Sequence, residues 1–364
     1  MSSRDLPSLD GLRAISIGFV VLGHASHFSS ARVETFLARL AHFGVCVFFV
    51  ISGYLITSLL WRDVQKRGEL QLGRFYLRRT LRIFPPFYVY LIVVALGVSL
   101  GGWPTTADAR WWPAFTYLSN YWNTNWGITG HSWSLALEEQ FYLAWPVALA
   151  LCIRVRGIGG GARLGYRVAA GALIAFPLLR VLVFGATRNG VLAGALIFDY
   201  VAAGSAIALF IEMGAWPRGR RLLDALLKSP ATPLAFAVSL ALHVMLAGTT
   251  RWLFAADIMV ITPLEAVLLA VCIAWAVRNP RHVVGRVLNV RVLRVIGIGS
   301  YSLYLWQQLF LGPGAAFALA WPLWLRLGAA GACAAASYWM VERPSLRLRA
   351  RLEAALFSRA GVRG

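Results

Sequence analysis

Arg13 and His24 share the first apolar stretch of this 364-residue chain, eleven residues apart. On an α-helix that spacing is within about 20° of three full turns, so both side chains share a face, separated along the axis by about 16 Å. Ionisable groups inside an apolar span are costly and mark functional sites by default. An arginine at the mouth and a histidine about halfway across suit a long ligand with an anionic head and a reactive tip, the shape of a coenzyme A thioester. Arginine offers phosphate a planar fork of donors, and a neutral imidazole near the thioester takes the proton of an acceptor hydroxyl. The simpler alternatives are a cytoplasmic anchor for Arg13 and an interhelical hydrogen bond for His24.

Two further clusters carry chemistry. In the run from His131 to Tyr142, Glu138 and Glu139 lie about two turns into a span that Ser132 is placed to cap. They point to different sides, so at most one easily faces the bundle centre. A carboxylate there orients or stabilises the His24 imidazole as the third member of a triad does, or serves only as a structural partner for an arginine. In the run from Arg74 to Pro86, Arg79 and Arg82 share a helix face, as do Arg78 and Arg82. They read as a phosphate clamp beside Arg13, or as a topology signal that also binds anionic lipid.

The elements that must position these residues are membrane helices. The chain is 59% hydrophobic and 14% charged, with mean hydropathy +0.65, whereas soluble domains carry about 25% charged residues. At roughly 20 apolar residues per span, ten spans are expected: 11–29, 42–60, 83–101, 132–152, 168–185, 191–212, 231–247, 256–277, 297–312 and 318–341. With a cytoplasmic N-terminus, the inside segments hold 28 of the 35 Lys and Arg residues, which places both termini in the cytoplasm. That asymmetry also accounts for the net charge of +20 without a nucleic-acid partner. The expectation is an all-α integral membrane protein, a bundle of about ten transmembrane helices forming one domain over 1–364.

The outside segment 102–131 is rich in Trp and Tyr. It reads as an interfacial aromatic belt or as a surface on which the apolar faces of sugar rings stack. The glycines of 157–161 read as a flexible turn rather than a phosphate loop. Cys46, Cys152, Cys272 and Cys333 sit in apolar stretches without CxxC spacing, which indicates packing and neither disulfides nor a metal. The first apolar run contains Arg13 and His24 and shows no small-residue cleavage site, so a cleavable signal peptide is not expected.

Five segments in order resemble the membrane acyltransferase family 3, O-acetyltransferases that modify bacterial surface sugars. Leu9 to Arg13, with His24 eleven residues on, resembles that family's first-helix motif. Phe48 to Leu55 is similar to its second-helix segment, Phe75 to Pro86 to its arginine-rich loop, Trp133 to Tyr142 to its WSL-containing segment, and Ser300 to Trp306 to its penultimate-helix signature. The resemblance implies acyl transfer, with acetyl the expected group, from cytoplasmic acyl-CoA to a hydroxyl of a glycan or glycolipid at the bacterial inner membrane. His24 would be the essential base with Glu138 in support, and Arg13, Arg78, Arg79 and Arg82 would hold the donor. Ser52, Gly53, Tyr142, Trp133 and Tyr301 would shape the site, with no permanently bound cofactor. Where many members carry a histidine after the penultimate-helix signature this chain has Gln307, which puts a second acid–base role there in doubt. Some larger members carry an added periplasmic hydrolase-like domain; only 23 residues follow Val341 here, so none is expected. The rivals are a transporter of sugar or acidic solutes, which would also use polar residues at mid-membrane, and an acyltransferase acting on a small molecule, lipid or protein.

Overall fold

The computed structural model describes residues 6–25, 31–101, 103, 112–122, 127–213, 217–246, 257–312 and 321–357, and every regular element among them is helical. The helices used below are α1 (Pro7–Ala25), α2 (Ala31–Arg67), α3 (Leu72–Ser99), α4 (Ser132–Thr187), α5 (Asp199–Met213), α6 (Pro217–Lys228), α7 (Leu234–Leu246), α8 (Thr262–Arg278), α9 (Arg291–Ile298), α10 (Ser300–Leu311), α11 (Leu323–Ser337) and α12 (Arg343–Phe357).

Among the described residues, five helical stretches are long and apolar enough to cross a membrane: Arg32–Arg67, Leu72–Ser99, Ser132–Thr187, Gly190–Glu212 and Asp257–Arg278. Each of the ten expected spans overlaps helix, but the match is not one to one. The 56 residues of α4 hold two expected spans joined by Gly157, at φ 68 and ψ 178. A Cβ on Gly161 would stand 2.4 Å from the Cα of Ile153, and one on Gly165 would stand 2.9 Å from Leu149. The two halves of α4 therefore run antiparallel, and the glycine run is a tight hairpin whose left-handed residue needs glycine. The first expected span is met by a helix of its own length, the 19 residues of α1, set four residues earlier, while the described helices at the seventh, ninth and tenth are shorter, α7 having 13 residues and α10 having 12. Within 191–212 the helix stops at Gly194 and resumes at Asp199.

Burial separates the elements. The apolar window of α2 is 89% buried and that of α4 is 17% buried, so α2 is the central post, while α4 packs inward at its start, from Ser132 to Leu149, and is peripheral over that window. Outward-facing Ile92, Leu96, Leu143, Leu151, Ile174, Leu182 and Trp324 are exposed. An apolar exterior of this extent needs lipid around it, and the chain is a multi-pass membrane protein. Where α2 meets α5 the backbones nearly touch: a Cβ on Gly53 would lie 2.0 Å from the Val201 carbonyl oxygen, and one on Gly204 would lie 2.2 Å from that of Val50. Small residues at such a crossing let dispersion act where lipid supplies no hydrophobic drive.

The segments read as cytoplasmic meet one another at one end of the bundle. Ser8 donates to Asn289 at 3.3 Å, Arg74 and Arg78 bind Glu353 of α12, and Asn279 donates to the Leu227 carbonyl at 2.9 Å. Ser132 opens α4 but does not cap it; its hydroxyl instead donates to Ser119 at 2.8 Å.

Candidate functional site

At the arginine-rich end α1, α2, α3, α4 and α10 surround a cavity of about 630 Å³, its mouth included. Helical spacing explains the lining. Ser134, Glu138 and Tyr142 lie four apart on one face of α4, Arg79 and Arg82 come from α3, Arg13 from α1, Ser52 from α2, and Tyr301 and Tyr304 from α10. The sequence therefore anticipates most of this wall: Arg13, Arg79, Arg82, Ser52, Glu138, Tyr142 and Tyr301 converge on one space.

One hydrogen-bonded chain organises it. The Tyr142 hydroxyl donates to Ser52 Oγ at 2.8 Å, and Ser52 donates to Glu138 Oε1 at 2.8 Å. The Arg79 guanidinium lies 3.5 Å above the centre of the Tyr142 ring, a cation–π contact that holds the charge over the cavity. Its Nε–H is buried without a hydrogen-bond partner among the described residues. A buried unpaired donor is costly, and an anion entering the cavity would satisfy it. Arg13 is 3.6 Å from Asp10. Glu342, which accepts from Ser302 at 2.9 Å, lies in the electrostatic field of Arg82 and Arg13.

Pro85 and Pro86 sit inside α3. They remove the N–H groups that would reach the carbonyls of Leu81 and Arg82. The Tyr301 hydroxyl donates to the neighbouring Ile83 carbonyl at 2.8 Å, which ties α10 to α3 beside the arginines.

The remaining expected residues lie elsewhere. Arg78 turns away from the cavity: its Nε donates to Glu353 Oε2 at 2.8 Å, and Asp63 stands 4.0 Å off. Gly53 makes the α2–α5 contact described above. Trp133 stacks on His42 with ring centres 6.1 Å apart and meets Phe49 edge-on. It faces a second space with Asn120 and Trp122. Of the aromatic segment, Trp111, Trp126, Asn123 and Asn125 lie outside the described residues.

His24 is half-buried, and its Nδ1 is 2.7 Å from Gln307 Oε1. The Gln307 amide nitrogen donates to the Tyr304 carbonyl at 3.4 Å, so its oxygen is the atom turned to the imidazole. A carbonyl oxygen can only accept, which puts the proton on Nδ1; the tautomer follows from this network. The sequence assigned His24 a carboxylate partner in Glu138, and the bond seen is to Gln307. Glu138 engages Ser52 instead.

Tyr304 lies one turn from Gln307 and forms the cavity's far wall, its hydroxyl bonded to Ser134 and donating to the His131 carbonyl at 3.2 Å. The cavity thus ends a turn from His24's partner. His131 received no role from sequence. Its ring is buried between Tyr90 and Tyr304, both nitrogens lack partners among the described residues, and it lies in the field of His24.

The family described as Acyltransferase domain matches residues 6–342. The chain is 29% identical over 330 residues to the peptidoglycan O-acetyltransferase OatA of Listeria monocytogenes, covering 84% of this chain and 49% of that protein. It is 28% identical over 322 residues to a putative O-acetyltransferase of Staphylococcus aureus strain COL, with 84% and 50% covered. It is also 28% identical over 335 residues to the O-acetyltransferase OatA of Staphylococcus aureus strain NCTC 8325, with the same coverage. The chain spans about half the length of these curated relatives. No solved structure matches.

Proposed function

Because this chain belongs to the acyltransferase family just described, we propose that it moves an acyl group, acetyl first among candidates, from cytoplasmic acyl-CoA to a hydroxyl of a glycan or glycolipid. The observation that carries this reading is the cavity walled by Arg13, Arg79 and Arg82 with an unpaired Arg79 donor. It stands at the end where the inside segments meet, and its far wall lies one turn from Gln307. The membrane would be the bacterial inner membrane with both termini cytoplasmic, as the distribution of basic residues supports.

In this scheme the phosphates of the donor lie among Arg13, Arg79 and Arg82, and the pantetheine arm runs past Ser52, Glu138 and Tyr142 toward His24. His24 Nε2 takes the proton of the acceptor hydroxyl while Nδ1–H donates to Gln307. The acceptor oxygen bonds to the thioester carbonyl carbon, the carbon–sulfur bond breaks, and the coenzyme thiolate recovers the proton from the imidazolium. Glu138 acts through Ser52 and Tyr142 and through the charge of Arg79, and so positions the arm rather than His24. Arg78 holds α12 rather than the donor.

Peptidoglycan, the acceptor in the Listeria relative's name, is the first glycan to test. Purified protein in proteoliposomes is given radiolabelled acetyl-CoA and peptidoglycan fragments. Label should appear as base-labile ester on the glycan, and Arg79→Gln should raise the donor concentration needed. A protein that moves solute across the vesicle but neither binds acetyl-CoA nor esterifies glycan is a transporter, and the proposal fails.

A further inference from the structure

A second constellation lies on α2 about 15 Å from Ser52, by the rise of the ten residues between that serine and His42. His42 and Cys46 are four residues apart on one face of α2, and His243 comes from α7. His42 Nδ1 is 3.2 Å from His243 Nε2 and 3.6 Å from Cys46 Sγ, and all three ligand atoms lie within 4.8 Å of one another. The other nitrogen of His243 faces Glu265, 2.9 Å and 3.1 Å from its two carboxylate oxygens.

We propose that His42, Cys46 and His243 form a zinc-binding site, with Glu265 orienting His243 and a fourth coordination position open to the adjoining cavity. The separations carry the argument. Two imidazole nitrogens on a tetrahedral zinc stand about 3.3 Å apart, and a nitrogen and a thiolate about 3.6 Å. The two bonds through His42 already match these values, and a turn of the Cys46 side chain closes the third edge. The carboxylate on His243 Nδ1 holds a proton there and leaves the Nε2 lone pair aimed at the cluster, the arrangement found behind metal-bound histidines. Trp133 stacks on His42 and fixes its ring.

Charge agrees as well. Zn²⁺, the Cys46 thiolate and the Glu265 carboxylate sum to neutral, as a buried site requires. The nearby Arg180 is paired with Asp199 at 2.6 Å, and the charge of Arg39, which donates to the Val244 carbonyl at 2.7 Å, is offset by Asp257 in the same field. His42, His243 and Glu265 border a cavity of about 1550 Å³, its mouth included, which leaves room for a water or hydroxyl oxygen as fourth ligand. Three protein ligands and an open position are the pattern of a reactive zinc rather than of a closed structural one.

The test uses the purified full-length chain in detergent, stripped by chelator and titrated with Co²⁺ as a spectroscopic stand-in. One Co²⁺ per chain should bind and give a thiolate-to-cobalt charge-transfer band. Cys46→Ser should abolish that band, while Cys272→Ser, at a buried cysteine of α8, should leave it unchanged. Glu265→Gln should weaken zinc binding about 10- to 100-fold. A hydrogen-bonded histidine pair with no metal role gives no such band in the unaltered protein. That result, or a band that survives Cys46→Ser, overturns the proposal.

Discussion

At the residue scale the account turns on His24 and what faces it. A glutamine has no titrating proton, so Gln307 cannot relay one. Through Oε1 it can fix the His24 tautomer, which is what a catalytic base needs from its partner. Gln307→Leu should therefore lower the transfer rate by about 10- to 100-fold, the worth of one hydrogen bond to a group that becomes charged. Gln307→Asn or Gln307→Glu should recover part of the loss. Arg79→Gln should raise the KM for the donor by a similar factor with little change in kcat, since phosphate contacts bind ground and transition state alike. Steady-state kinetics at varied acetyl-CoA separates the two effects.

Sequence made this scale partly legible. Arg13 and Glu138 announced themselves because charge inside an apolar run is rare, Arg79 and Arg82 because they cluster at the foot of a span, and the structure gathers all four. Arg78 looked the same in sequence but was claimed by Glu353, a partner 275 residues away. The histidine cluster hid for a related reason: four-residue spacing of His42 and Cys46 is ordinary on a helix, and His243 lies 201 residues beyond. A search of cysteine spacings alone could not find it.

At the element scale, helices were legible because hydropathy is a local property, whereas how they end depends on contacts that are not. The hairpin at Gly157 followed from its glycines; the interruption between Gly194 and Asp199 had no comparable signal. The α2–α5 crossing predicts that Gly53→Ala costs about 1–3 kcal/mol, the usual penalty of overpacking. Thermal unfolding in detergent should show a lowered midpoint there and none for Gly171→Ala, whose Cβ would meet nothing within 4 Å.

The C-terminal helix α12 is held by an ion pair with a defined pH range. Hydrogen bonding to Arg78, and then to Arg74, depresses the Glu353 carboxyl from 4.5 to about 2. A depressed carboxylate contributes stability above its unfolded value, and loses it as pH falls through the folded one. Protection of α12 from limited proteolysis should thus be level from neutrality to about pH 4.5 and decline below it. Glu353→Gln should show at neutral pH the exposure that the unaltered protein shows only in acid.

At the scale of the whole molecule, one sequence count and one set of contacts agree. Contacts join five of the six segments counted as inside, 1–13 to 278–296, 61–82 to 342–364 and 213–230 to 278–296, and the arginine-walled cavity is lined from two of them. The histidine–cysteine cluster lies toward the other end of α2. Under the proposed function the donor would enter at the arginine-rich end and the acceptor would use a separate space at the other, with His24 between them. Lys66→Cys and Arg188→Cys, each in a chain with its native cysteines replaced, should label oppositely with a membrane-impermeant maleimide on intact cells. The Arg188→Cys chain should react at once, and the Lys66→Cys chain only after permeabilisation.

The most direct test of the central claim is acetyl transfer by His24→Ala in proteoliposomes, measured beside its binding of radiolabelled acetyl-CoA. Donor binding should persist while transfer to glycan falls by about 10²- to 10⁴-fold, the usual contribution of a positioned general base. Full transfer activity in His24→Ala would contradict that claim.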